Sequence, residues 1–217
     1  MYIPIVDTGH GGMIDGVYQD LASKKTPPDP KQYTFTQSNI TAYEGVMNRR
    51  IGSRFEFNLQ KLNRELFSLT THIQQDITLS TRIGKINKLV KDYPDKKFFL
   101  ISIHCDKLTK DIKGLGNKAK GGHIIIGKSV YKGKNRVENY IKSKEIANTF
   151  NNVFKREAKN WRGIHERDNI AIINQTNCPS ILIECGFYDN YDESTWLNSE
   201  EGINFITNLL VKSTIQL

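Results

Sequence analysis

Four residues in this sequence combine a reactive side chain with a place at the edge of an apolar run or helix: His10, Glu44, His104 and Glu184. His10 lies in Asp7-Thr8-Gly9-His10-Gly11-Gly12, a glycine-bracketed turn after the apolar residues 3–6. Glycines there permit φ > 0 and let other groups approach the backbone closely. In open α/β sheets ligands bind just past strand ends. His104 closes the apolar run 98–103, and Glu184 closes the run 180–183. Glu44 falls in the first turn of an expected helix, where an acidic residue also complements the helix dipole. The strand ends of a parallel sheet share one edge, so these groups can meet although they are far apart in sequence. Two neutral imidazoles and a carboxylate, with water in the fourth position, make a catalytic zinc site. Zinc polarises a carbonyl and lowers the pKa of its water to ~7. A further carboxylate can take the water's proton and give it to a leaving amine. The set suits metal-assisted amide hydrolysis. Spacing alone leaves His72, His123 and His165 as alternative ligands.

The elements needed to position these groups follow from the hydrophobic pattern. Residues 3–6 read as a short buried strand. The polar stretch 13–39, with Pro27-Pro28-Asp29-Pro30, reads as one long connection, and loops of that length are usually functional or mobile. Met47, Ile51, Phe55, Leu59, Leu62 and Leu66 recur at three- and four-residue spacing and predict a helix over about 41–66. Residues 67–76 read as a strand, 79–93 as a helix stopped by Pro94. Residues 98–103 are almost continuously apolar, the mark of a strand buried on both faces. Further strands are expected at 122–126, 169–173 and 180–183. Helices are expected at 142–159 and 199–211, the last capped by Asn198 or Ser199. The alternation predicts a single α/β domain, a mostly parallel twisted sheet with helices on both faces.

The 217 residues suit one domain. With 38% apolar and 25% charged residues the chain can bury a sizeable core. No apolar run approaches the ~20 residues of a membrane span, and Met1-Tyr2-Ile3-Pro4 leads straight into a strand without a signal-peptide pattern. The net charge of +8 favours polyanionic partners. Its clusters, at Lys24-Lys25, Arg49-Arg50, 107–120 and 128–136, lack the interleaved aromatics of a single-strand nucleic-acid platform, so no nucleic acid is expected. Cys105, Cys178 and Cys185 make an odd count without a CxxC pair, and read as reduced, buried thiols.

The ordered motifs Asp7 to Gly12, Glu44-Gly45 with Asn48, Ser102-Ile103-His104, and Pro179 through Glu184-Cys185-Gly186-Phe187 with Asn190 resemble the zinc-dependent N-acetylmuramoyl-L-alanine amidases of the Amidase_3 type. Leu79-Ser80-Thr81-Arg82 with Asn87, and Arg162-Gly163, extend the resemblance from residue 3 to about 210. It implies that His10, Glu44 and His104 bind one zinc ion per chain and that Glu184 is the catalytic glutamate. The implied reaction is hydrolysis of the amide between N-acetylmuramic acid and the L-alanine of the peptidoglycan stem peptide. Arg82 and Arg162, with Gly11 and Gly12, stand as groove or structural supports, Arg82 more as an ion-pair or capping residue. Cys105 and Cys185 depart from the family's small and aliphatic residues, and strand alternation points both away from the site. Thr71-His72 departs from its Thr-Arg.

The chain is expected to be a monomer, made in the cytoplasm without a recognisable signal peptide and acting on the cell wall from its periplasmic or extracellular side. A phage endolysin released by a separate pore, or a cellular amidase whose signal has been trimmed, would both account for the N-terminus. A zinc peptidase or deacylase acting on another amide is the competing enzyme reading. A non-catalytic basic cell-wall or nucleic-acid binding module is the competing non-enzyme reading.

Overall fold

The computed structural model describes residues 1–19, 31–73, 75, 77–108, 114–128 and 136–217. The elements in chain order are β1 (Ile3–Thr8), β2 (Gly12–Ile14), β3 (Val17–Gln19), β4 (Gln32–Phe35), β5 (Ile40–Tyr43), α1 (Glu44–Lys61), β6 (Phe67–Ser68), α2 (Leu79–Asp92), β7 (Phe98–Asp106), β8 (His123–Gly127), α3 (Arg136–Glu157), β9 (Ile164–Arg167), α4 (Ala171–Asn174), β10 (Ser180–Phe187), α5 (Tyr191–Asn198) and α6 (Glu200–Thr214).

Six strands form one sheet in the order β6-β1-β7-β10-β8-β9. Strands β6, β1, β7 and β10 are parallel, whereas β8 pairs antiparallel with β10, and β9 follows β8 in parallel. Residues 98–105 are all buried, which is why β7 is apolar on both alternations: each face of the sheet is covered. On one face Ile101, Ile103, Ile124 and Ile183 pack against Met47, Ile51, Phe55 and Leu59 of α1, Ile146 and Phe150 of α3, and Ile203, Ile206 and Leu210 of α6. On the other, Leu100, Leu182 and Ile125 meet Ile86 of α2 and Ile172 and Ile173 of α4. The architecture is the expected one, a single α/β domain with a mostly parallel sheet between helical layers.

Several boundaries differ from the pattern-based expectation. The first helix ends at Lys61, and Leu62 is exposed. The strand expected over 67–76 is two residues long. The apolar pair Ile172-Ile173 is one helical turn, closed by Asn174 and Gln175 donating to the carbonyls of Ile170 and Ala171; the neighbouring strand is 164–167 instead. Residues 191–198 form a helix capped by Asn190, whose side chain accepts from Glu193 N. The next helix is capped by Ser199, whose hydroxyl accepts from Gly202 N. The described parts of 13–39 are not a plain connection. They hold the hairpin β2–β3, turned by Asp15 and Gly16 with φ of 49° and 77°, and the first strand of the hairpin β4–β5. The proline run 27–30, Lys24-Lys25 and most of the basic stretch 128–136 lie outside the described residues.

The three cysteines are free and buried. Cys105 and Cys185 belong to the core on the α1, α3 and α6 face, so strand alternation does carry them across the sheet from His104 and Glu184.

Candidate metal centre

The turn after β1 is shaped by what presses on it. The left-handed backbone falls on His10 itself, at φ 63°, and not on Gly9, Gly11 or Gly12. The glycines serve close approach instead: a Cβ on Gly9 would come within 1.9 Å of His104 Cε1, and one on Gly45 within 1.7 Å of Gly11 O. Asn48 Nδ2 donates to Gly9 O at 3.0 Å. Arg49 lies buried under the turn. Its Nη1 donates to the carbonyls of His10, of Gly11 at 2.7 Å and of Gly45 at 3.1 Å, and its Nε donates to Ile73 O at 2.6 Å. The sequence placed Arg49 in a surface charge cluster; it is an internal clamp on the loop that carries His10. The clue lay in its position, one turn beyond Gly45, the helix residue that presses on Gly11 of the glycine turn.

Glu44 opens α1, its backbone N–H satisfied by Lys31 O at 2.9 Å. Its side chain is buried between the two histidines. Glu44 Oε1 is 3.5 Å from His10 Nε2 and 3.0 Å from His104 Nδ1. The rings meet edge-on with centroids 5.1 Å apart. One donor atom from each residue can be chosen so that all lie within 4.8 Å of one another. A tetrahedral zinc site with bonds near 2.0–2.1 Å spaces its donors by about 3.3 Å, so residue types and spacing both fit that ion. Burial alone would raise the Glu44 pKa, but His10, then His104 with Lys31, hold it down at about 2. The carboxylate is charged and ready to bind a cation.

His104 and Glu184 lie within β7 and β10 rather than at their ends, two and three residues before the last, and are direct partners in the ladder. That pairing puts both side chains on one face. They line, with His10 and Glu44, a cavity of about 280 Å³ that Lys31, Asp106 and Lys107 also border. Glu184 keeps some exposure as a residue, yet its Oε2 is buried and has no hydrogen-bond partner among the described residues. Burial, then the negative charges of Glu44 and Asp106, push its carboxyl well above the usual range. Neither arginine suggested for the site neutralises it. Arg82 Nη1 binds both oxygens of buried Asp7, at 3.1 and 2.9 Å. Arg162 lies over the Phe187 ring at 5.3 Å, and its backbone N–H donates to Gly122 O. Gly11 offers its carbonyl to Arg49, and Gly12 begins β2.

The alternative ligands are elsewhere. His72 is largely exposed and pairs with Glu56 at 3.2 Å. His123 and His165 meet each other edge-on at 5.0 Å. Neither belongs to the triad of donors, although β8 brings His123 beside Glu184.

An α/β sheet that gathers two imidazoles and a carboxylate in one open cavity, beside a carboxyl whose Oε2 has no partner among the described residues, has the parts of a hydrolase. Residues 5–215 match the Amidase_3 family, N-acetylmuramoyl-L-alanine amidase; the chain belongs to that family and is an amidase. The N-acetylmuramoyl-L-alanine amidase from Clostridium difficile 630 superposes with a TM-score of 0.71 at 24% identity, covering 99% of this chain and 95% of that one. Ami1 from Mycobacterium smegmatis gives 0.73 at 18% identity, with 99% and 95% covered. The catalytic domain of CD27L, an endolysin targeting Clostridia difficile, gives 0.61 at 19%, with 100% and 98% covered. No curated protein sequence matches the chain.

Proposed function

We propose that this amidase is zinc-dependent, with His10, Glu44 and His104 as its metal ligands and Glu184 as its acid–base group, and that it cuts the amide between N-acetylmuramic acid and the L-alanine of the stem peptide. The observation that carries the reading is the shared cavity: three convergent donors, and a second carboxyl, that of Glu184, whose Oε2 has no partner among the described residues, lining the same space. Zinc, when bound, supplies charge to polarise the scissile carbonyl and to activate a water near neutral pH. The residues do the rest. Glu44, negative and buried, offsets part of the ion's charge. Asn48 and Arg49 hold the backbone that carries His10. Glu184 accepts the proton of the attacking water and passes it to the amine nitrogen as the C–N bond breaks. Burial and the neighbouring negative charges raise the carboxyl, so it holds a proton more readily than an ordinary carboxylate, which suits handing that proton on to the leaving nitrogen.

The substrate in this reading is peptidoglycan, the enzyme a monomer, and the place of action the cell wall. Among the described residues no helix is long and apolar enough to cross a membrane. A phage-lysin-like release to the wall is part of the proposal. Metal analysis tests the ligand set: the native chain should hold one zinc, and His10→Ala and His104→Ala should each lose it. Full zinc occupancy in both variants would refute the assignment.

A further inference from the structure

His123 stands outside the donor triad but next to the proposed acid–base group. It opens β8, and because β8 runs antiparallel to β10 its first residue arrives at the edge of the sheet where Glu184 lies. The two are direct partners in the β8–β10 ladder. Opposed residues of antiparallel strands project from one face with Cβ atoms about 4.5–5.5 Å apart. Across three strands the row therefore reads His104, Glu184, His123. His123 is 7% exposed, and its Nδ1 is buried without a hydrogen-bond partner among the described residues, as is Glu184 Oε2. Buried polar groups are hydrogen-bonded as a rule, and these two are complementary: a carboxyl oxygen, and a ring nitrogen that donates or accepts according to tautomer.

The rest of the ring faces other groups. Its Nε2 lies 4.0 Å from Asp106 Oδ2, and His165 packs against it at 88°. Burial first, then His165, Arg162 and Arg167, push its pKa down to about 4, so near neutral pH the ring is uncharged and carries one N–H.

We propose that His123 is a positioning residue for Glu184: its Nδ1 shares a hydrogen bond with Glu184 Oε2, direct or through one water, and so fixes the carboxyl toward the cavity. A neutral imidazole suits the place. It adds no positive charge beside a cation site, and it can donate to a carboxylate or accept from a carboxylic acid as the proton moves. The proposal rests on the reading of Glu184 as the acid–base group, and the first test below does not require that reading.

That test is ¹⁵N NMR of the histidine rings in the metal-free full chain. Glu184→Gln should shift the His123 Nδ1 resonance and leave His72, which pairs with Glu56 elsewhere, unchanged; an unmoved His123 resonance overturns the proposal. The second test is kinetic, on zinc-loaded protein. His123→Phe should lower kcat by about tenfold or more, the usual effect of removing a group that orients a site residue, with KM and zinc content unchanged. His123→Asn, whose amide falls near the position of Nδ1, should recover most of the loss, and His123→Gln, whose amide falls near Nε2, should not. A loss confined to KM, or equal recovery by both amides, overturns it. Should His123→Phe fail to fold, the contrast between the amides and the NMR result still decide. A fully active Glu184→Gln would remove the acid–base reading, and the NMR result would still decide whether His123 and Glu184 are joined.

Discussion

At the scale of single residues, the two carboxylates of the site are set apart by their neighbours. Glu44 sits between two imidazoles and is held charged near the bottom of the carboxylate range, whereas Glu184 is buried among negative groups and raised. The first environment suits a ligand and the second a proton carrier. Glu184→Gln keeps the shape and removes the proton acceptor. It should fold, retain zinc and lose kcat by roughly 10²–10⁴-fold, the usual worth of a positioned acid–base group. Zinc lost from that variant would make Glu184 a ligand; near-normal turnover would place the base elsewhere. Arg49 teaches a related lesson. Its charge read as surface from sequence, but its guanidinium is spent on the carbonyls of His10, Gly11 and Gly45.

At the scale of elements, Asp7 joins three of them. Its carboxylate receives Arg82 from α2, Ser102 Oγ from β7 at 2.7 Å and Thr70 Oγ1, just after β6, at 3.1 Å. Removing one partner of a buried pair leaves the other uncompensated, at a cost of about 3–5 kcal/mol. Arg82→Met should therefore lower unfolding stability in urea by about that much while the folded fraction keeps its zinc; an unchanged stability would mean the pair is not a structural tie. The expectation that Arg82 forms an ion pair came from its type and place. The long periodic helix α1 and the apolar run of β7 were legible because each repeats one signal many times. The short elements were not. Ile172-Ile173 fits either period, and only packing under the sheet chooses the helical turn. Asp15-Gly16 was a hairpin signal hidden inside a polar stretch that read as loop. The antiparallel course of β8 leaves no mark in its own sequence, since a strand buried on both faces looks the same in either direction; hence the role of His123 was invisible. His10, His104 and Glu184 were legible because each follows an apolar run, and Glu44 because it opens a long periodic helix; the depth of His104 in β7 and of Glu184 in β10 was not, because the sheet continues past them.

At the scale of the whole molecule, a net charge of +8 faces a polymer that is anionic in the proposed reading. Some of that charge is internal, as Arg49 and Arg82 are buried, and Arg50 and Arg54 pair with Glu200 at 3.1 and 2.9 Å. If the remainder steers the protein to the wall, binding to sacculi should weaken as salt rises, because exposed charges are screened over about 8–10 Å at physiological ionic strength. Salt-independent binding would assign affinity to the groove instead. The central claim concerns a bond, and product analysis reads it directly. Purified peptidoglycan treated with the zinc-loaded protein should gain L-alanine amino groups and no new reducing ends, and a chelator should stop the reaction until zinc is restored. New reducing ends, new amino groups on another residue, or full activity in chelator would contradict the account.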